Sequence, residues 1–192
     1  VIISDLRSSM FFGSQRLKSV VACEVSAALA WAGLGINDRV GGVIFGAQDQ
    51  LDFKPKRSHH TALQLIRGLQ NFSQELLNSQ RDKLNLATML EESRRLALPG
   101  STVFIVSDFH DLNSSCEPHL FSLAKHCNIN FCQVTDVLER QLPKPAQYPV
   151  TNGERQIVLD TSNKQLRENF AHQFTERENL MQKLCEQLAA GL

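Results

Sequence analysis

Val1-Ile-Ile-Ser-Asp5-Leu-Arg7-Ser-Ser9-Met-Phe-Phe-Gly13 is the stretch on which the reading of the chain turns. An apolar run from Val1 to Ile3 meets an acid, then a polar cluster with two serines, and a helical pattern follows. In a parallel α/β sheet, ligands sit in the crevice beyond the carboxyl ends of the strands. Asp5, Arg7, Ser8 and Ser9 are expected at such an end.

Downstream, helical and strand patterns alternate. Leu17, Val20, Val21, Val25, Ala28, Leu29 and Ala32 keep a helical period that Gly33 and Gly35 end. Val40-Gly-Gly-Val-Ile-Phe45 is apolar enough for a strand buried on both faces, and Asp49 to Phe53 reads as an edge strand stopped by Pro55. A helix capped by Ser58 or Thr61 carries Leu63, Leu65, Ile66 and Leu69, and Phe72 to Ser79 reads as a polar connection. Asn85 to Leu98 is expected to be a helix, ended by the Pro99-Gly100 turn. Thr102 to Val106 and Asn130 to Val134 are strand patterns, each leading to an aspartate, Asp108 and Asp136. A short helix lies between them, from Cys116 to Cys127. Val137 to Pro149 shows no helical period, and Tyr148 to Val150 pairs with Gln156 to Leu159 as a hairpin turning at Asn152-Gly153. Thr161 or Ser162 then caps a last helix with the stripe Leu166, Phe170, Phe174, Met181, Leu184 and Leu188. This alternation predicts one α/β domain over residues 1–192, a doubly wound, mainly parallel sheet of about six strands flanked by helices.

Composition narrows the function classes. Twenty basic residues balance twenty acidic ones, so no basic excess points to nucleic acid. No apolar run reaches the roughly 18 residues of a membrane span. The cysteines at 23, 116, 127, 132 and 185 have no paired or zinc-type spacing, which suits reduced thiols and a cytoplasmic location. Because the chain opens on a core-strand pattern without an initiator Met, it is expected to be the C-terminal part of a longer protein.

Asp5 and Asp108 would point into one crevice if their strands were neighbours. Carboxylates and hydroxyls together suit Mg²⁺, which takes oxygen ligands and keeps several waters. The alternative is that Asp5, Ser8 and Ser9 only cap the next helix. His110 stands beside Asp108 as a candidate proton shuttle, although a loop histidine is more often inert. His59-His60 reads as a solvated helix entry. Trp31, Phe11 and Phe12 read as core or crevice lining, with an exposed Phe12 able to anchor a partner. No phosphate-binding glycine loop and no nucleophile elbow is present.

The layout resembles the von Willebrand factor A domain, whose metal-ion-dependent adhesion site begins Asp-x-Ser-x-Ser. More closely, Asp5 to Gly13, Gly35 to Gly46, Val106 to Asp111, Val134-Thr-Asp136 and Leu138-Glu139 are similar to the bacterial family called domain of unknown function 58. That resemblance implies metal-site positions at Asp5, Ser9 and Asp108, with Arg7 where the middle serine would stand and Leu84 where a threonine would. The site is then degenerate. Arg7 could pair with Asp5 or Asp108 in place of a cation, since its planar fork suits carboxylates. The cofactor expected is none, or Mg²⁺ held weakly. The resemblance further implies a protein-binding module, an adaptor or chaperone-like partner of a MoxR-type AAA+ ATPase, engaging it through a crevice that includes Arg7, Ser8, Phe12 and His110. The rival reading is an enzyme, a metal-dependent phosphoryl hydrolase using Asp5 and Asp108.

Overall fold

The computed structural model describes residues 1–78, 82–151 and 156–191. Five strands form the main sheet: β1 (Ile2–Asp5), β2 (Val40–Phe45), β3 (Gln50–Lys56), β4 (Thr102–Ser107) and β5 (Asn128–Gln133), in the order β3-β2-β1-β4-β5. β1 pairs in parallel with both β2 and β4, β4 with β5 likewise, and only β3 runs antiparallel. Strand order therefore reverses at β1, where the chain winds outward to either side. That reversal makes the crevice beyond β1 and β4 the natural ligand position of the fold.

Period-two alternation in the strands sorts the core into two layers. Ile2 and Ile44 face the helices α1 (Lys18–Gly35) and α2 (His59–Glu75), packing with Ala22, Ala30, Leu65 and Leu69. Ile3, Val43 and Ile105 face the opposite layer of α3 (Leu86–Ser93), α4 (Glu117–Ala124) and α6 (Lys164–Leu188), packing with Met89, Leu120 and Met181. This is a three-layer α/β sandwich with a mainly parallel sheet, as the alternating pattern implies. Small residues on the buried face of α1 bring it close to the sheet, and Ser26 on α1 shares a 2.8 Å hydroxyl contact with Ser4 of β1.

Several element boundaries differ from the sequence reading. α2 continues to Glu75 and passes into a 3₁₀ turn at Leu76–Asn78, where a polar connection was expected. Leu65, Leu69, Phe72 and Leu76 keep the helical spacing, and no glycine or proline interrupts them after Gly68. α3 ends at Ser93, earlier than Leu98. Pro55 does not stop β3, because an edge strand tolerates a missing donor. The register shifts between Val40 and Gly42, and a Cβ on Gly41 would lie 2.5 Å from the Phe53 carbonyl oxygen. Only glycine fits that approach. Val137 to Arg140 forms a one-turn helix, α5, closed by a capping box of Asp136 and Glu139.

The cap of α6 is Asn163, whose side chain accepts from the Leu166 N–H. Thr161 is instead buried, donating its hydroxyl to the Lys144 carbonyl at 2.8 Å at the base of the hairpin β6 (Gln147–Thr151) and β7 (Gln156–Asp160). These two strands form a separate antiparallel sheet, and their expected Asn152-Gly153 turn lies outside the described residues. Trp31 is neither core nor crevice lining: it is 42% exposed and meets the His59 ring at 5.7 Å. His59 and His60 are both exposed at the start of α2, as the solvated-entry reading has it, and the His59 ring adds an aromatic contact between α1 and α2. Among the described residues, no helix is long and apolar enough to cross a membrane.

Candidate functional site

Asp5 ends β1 and Asp108 follows the last residue of β4, so the pairing of the two strands brings both carboxylates to the same edge. Each is buried, and each is engaged by a cation from this chain. Arg7, 4% exposed, puts Nε 3.0 Å from Asp5 Oδ1 and Nη2 2.9 Å from Asp5 Oδ2. The far side of the guanidinium meets Asp111, with Nη1 to Oδ2 at 2.8 Å and Nη2 to Oδ1 at 2.9 Å. Nη1 also donates to the Leu84 carbonyl at 3.2 Å. All five N–H donors of the arginine are thereby used.

The second cation is Lys18, the first residue of α1. Its Nζ lies 2.7 Å from Asp108 Oδ2 and 2.6 Å from Glu139 Oε1, with the lysine side chain 2% exposed. Glu139 Oε2 in turn accepts from the Asp136 N–H at 2.9 Å, and Asp136 holds the Ser14 N–H and hydroxyl at 2.7 and 2.9 Å. Thus the three strand-end aspartates, the loop after β1 and the start of α1 are tied into one charged layer.

Local backbone geometry supports these positions. The Ser107 hydroxyl donates to Asp5 Oδ2 at 2.6 Å and accepts from the Phe109 N–H at 3.0 Å. Phe109 takes a left-handed φ of 53°, a strained conformation for a bulky residue, and its ring packs edge-on against Phe131 at 5.4 Å. That turn lets the His110 N–H reach Asp108 Oδ1 at 3.0 Å and carries Asp111 to Arg7. Asp111 Oδ2 also accepts from the Leu86 N–H at the start of α3. An anion there is favoured by the helix dipole.

Electrostatics follow from this pairing. Burial pushes the Asp108 carboxyl up, but the Lys18 ammonium, with the His110 N–H and the Ser9 hydroxyl, outweighs it and holds the group below the ordinary carboxylate range. Asp111 is likewise raised by burial and lowered further by Arg7, for a net lowering. At Asp5 complete burial raises the carboxyl against the opposing pull of Arg7 and Ser107. Burial also raises the thiols of Cys116, Cys132 and Cys185, and lifts Cys23 to about 11, which disfavours thiolate chemistry at these four.

Above the charged layer lies a crevice of about 1120 Å³, lined by Arg7, Ser8, Ser9, Phe12 and His110 together with Phe11, Phe72, Asp82 and Asp111. Ser8 lies at its wall, its N–H and hydroxyl donating to Asp82 at 2.9 and 2.6 Å. Neither Ser8 nor Ser9 caps a following helix by a side-chain bond: the turn at Ser8–Met10 is 3₁₀ and α1 begins only at Lys18. Phe11 and Phe12 are 39% and 41% exposed. His110 Nδ1 is 2.9 Å from Arg177 Nη1 on α6.

Arg7 pairs with Asp5, as one branch of the sequence reading has it, but its other partner is Asp111 and not Asp108. Lys18 and Asp111 went unassigned by sequence reasoning. No periodicity separates Lys18 from the other basic residues, whereas the Asp136-x-x-Glu139 capping spacing was available to be read. Whether Asp5, Ser9 and Asp108 fit a divalent ion turns on their donors. Asp5 and Asp108 would have to release Arg7 and Lys18 first, so the residues as arranged do not fit one.

Two solved structures share the fold. One is described as the conserved hypothetical protein BatB from Bacteroides thetaiotaomicron, with TM-score 0.56 and 15% identity over 98% of this chain and 97% of that one. The other is an aerotolerance-related membrane protein from Bacteroides fragilis with multiple mutations to serines, with TM-score 0.55 and 16% identity over 91% and 86%. No curated protein sequence matches the chain. The family model described as "Protein of unknown function DUF58" matches residues 1–180, and the chain belongs to that family.

Proposed function

We propose that this domain is a non-catalytic protein-binding module whose crevice at the strand ends is a degenerate adhesion-type site. The observation that carries the reading is the contrast between floor and rim. The floor's buried carboxylates are paired with cations of the same chain, Asp5 and Asp111 with Arg7 and Asp108 with Lys18, while Phe11 and Phe12 stand exposed at the rim. Exposed aromatics beside a polar, preorganised recess are what interfaces use as anchors. The partner we propose is a MoxR-type AAA+ ATPase, with the domain as its adaptor in the cytoplasm. Support for that identity comes from the family resemblance alone.

Capture of a purified MoxR-type ATPase by the immobilised domain tests it, with Phe12→Asp as the disabled variant. An anchor residue is worth about 2 kcal/mol or more, so affinity should fall about 30-fold or more while the fold is unchanged. Equal capture by Phe12→Asp would remove the crevice from the interface. A phosphatase and nuclease screen with Mg²⁺ or Mn²⁺ covers the rival enzyme: turnover lost in Asp108→Asn would replace the binding reading with a hydrolase.

A further inference from the structure

We infer that Arg7 is the resident cation of a ready-made oxygen cage, and that the crevice is independent of divalent metal for as long as that guanidinium is in place. The cage consists of both carboxylate oxygens of Asp5, both of Asp111 and the carbonyl oxygen of Leu84, at 2.8–3.2 Å from the arginine nitrogens. Two carboxylates and a carbonyl with no nitrogen or sulfur donor are the ligand set that hard divalent cations take. The guanidinium meets every one of these oxygens, so a metal ion would have to displace a buried side chain from five hydrogen bonds.

Lys18 closes the other route. A cation shared between Asp5 and Asp108 would have to form beside its ammonium, which lies 2.7 Å from Asp108 Oδ2. The two internal cations thus divide the carboxylates that a single divalent ion would bridge. One consequence for recognition is that Arg7 retains no N–H with which to receive an incoming carboxylate. The inference concerns what fills the cage. It needs no partner to test and stands or falls separately from the protein-binding reading.

The test is calorimetric and thermal titration of the whole chain with Mn²⁺ and Mg²⁺, alongside Arg7→Ser. Wild type should show no saturable site and a Tm unchanged by Mn²⁺ or EDTA. Arg7→Ser empties the cage, and it should gain one site at about 0.1–1 mM or tighter, with a Tm that climbs with Mn²⁺ and falls back in EDTA. Arg7→Gln keeps more bulk and takes the place of Arg7→Ser if that variant does not fold. Tight one-site binding by wild type overturns the inference. So does a folded Arg7 variant that gains no site, since the guanidinium would then not be what excludes the ion. A saturable wild-type site refutes the inference whether or not either variant folds.

Discussion

Replacing Lys18 by Met removes the ammonium while keeping most of the buried stem, so the change is chiefly electrostatic. In the native fold Nζ lies 2.7 Å from Asp108 Oδ2 and 2.6 Å from Glu139 Oε1, with the lysine and Asp108 side chains each 2% exposed. Glu139, 18% exposed at its side chain, can turn toward water; Asp108 cannot. Breaking a buried pair by removing one partner costs about 3–5 kcal/mol. For a domain of this length that corresponds to a Tm lower by about 6–20 °C. The pH dependence discriminates this cause from a packing defect. Asp108 is held below its unfolded pKa, so its contribution is whole above that value and is lost as pH falls through the native one. In Lys18→Met burial acts without the ammonium and carries the carboxyl above its unfolded value, so the variant gains stability as pH falls. The gap between the two proteins should be widest near pH 7 and narrow toward about pH 4. Urea unfolding at intervals across that range measures it. A loss under about 1 kcal/mol at neutral pH, or a gap that stays constant with pH, would refute the reasoning. In the Asp108→Asn background the cost of Lys18→Met should shrink, because no buried anion is then stranded.

Two further predictions concern the frame around the site. Asp136→Ala removes the cap of α5 and the acceptor for Ser14, and should cost about 1–2 kcal/mol by urea denaturation, with the Lys18–Glu139 contact loosened. Ala189 ends α6 at φ 49°, where glycine is favoured, so Ala189→Gly should leave stability equal or raise it by up to about 1 kcal/mol, read as Tm. A clear fall in Tm would mean that the left-handed cap is not what ends the helix.

Much of the scaffold was legible because it rests on local signals. The runs at Val1–Ile3, Val40–Phe45 and Thr102–Val106 are too apolar for anything but buried strands, and the helical stripes between them enforce crossovers and a parallel sheet. Where boundaries slipped, a local rule was overridden or missed. The stripe Leu69-Phe72-Leu76 outlasted a polar reading of α2, an edge position accommodated Pro55, and the Asp136–Glu139 capping box nucleated a turn of helix.

By itself, the sequence determined the doubly wound layering and placed Asp5, Arg7 and Asp108 at the carboxyl ends of strands; that β1 and β4 are neighbours and share one crevice was decided by the fold. Which cation meets which carboxylate was decided only by tertiary structure. Arg7 and Asp111 are 104 positions apart, and Lys18 and Asp108 are 90 apart. Hydrophobic periodicity says which face of an element is buried, and that propagates along the chain. Pairing of buried charges depends on where strand order reverses and how the backbone turns at Phe109, and no local pattern encodes that distance.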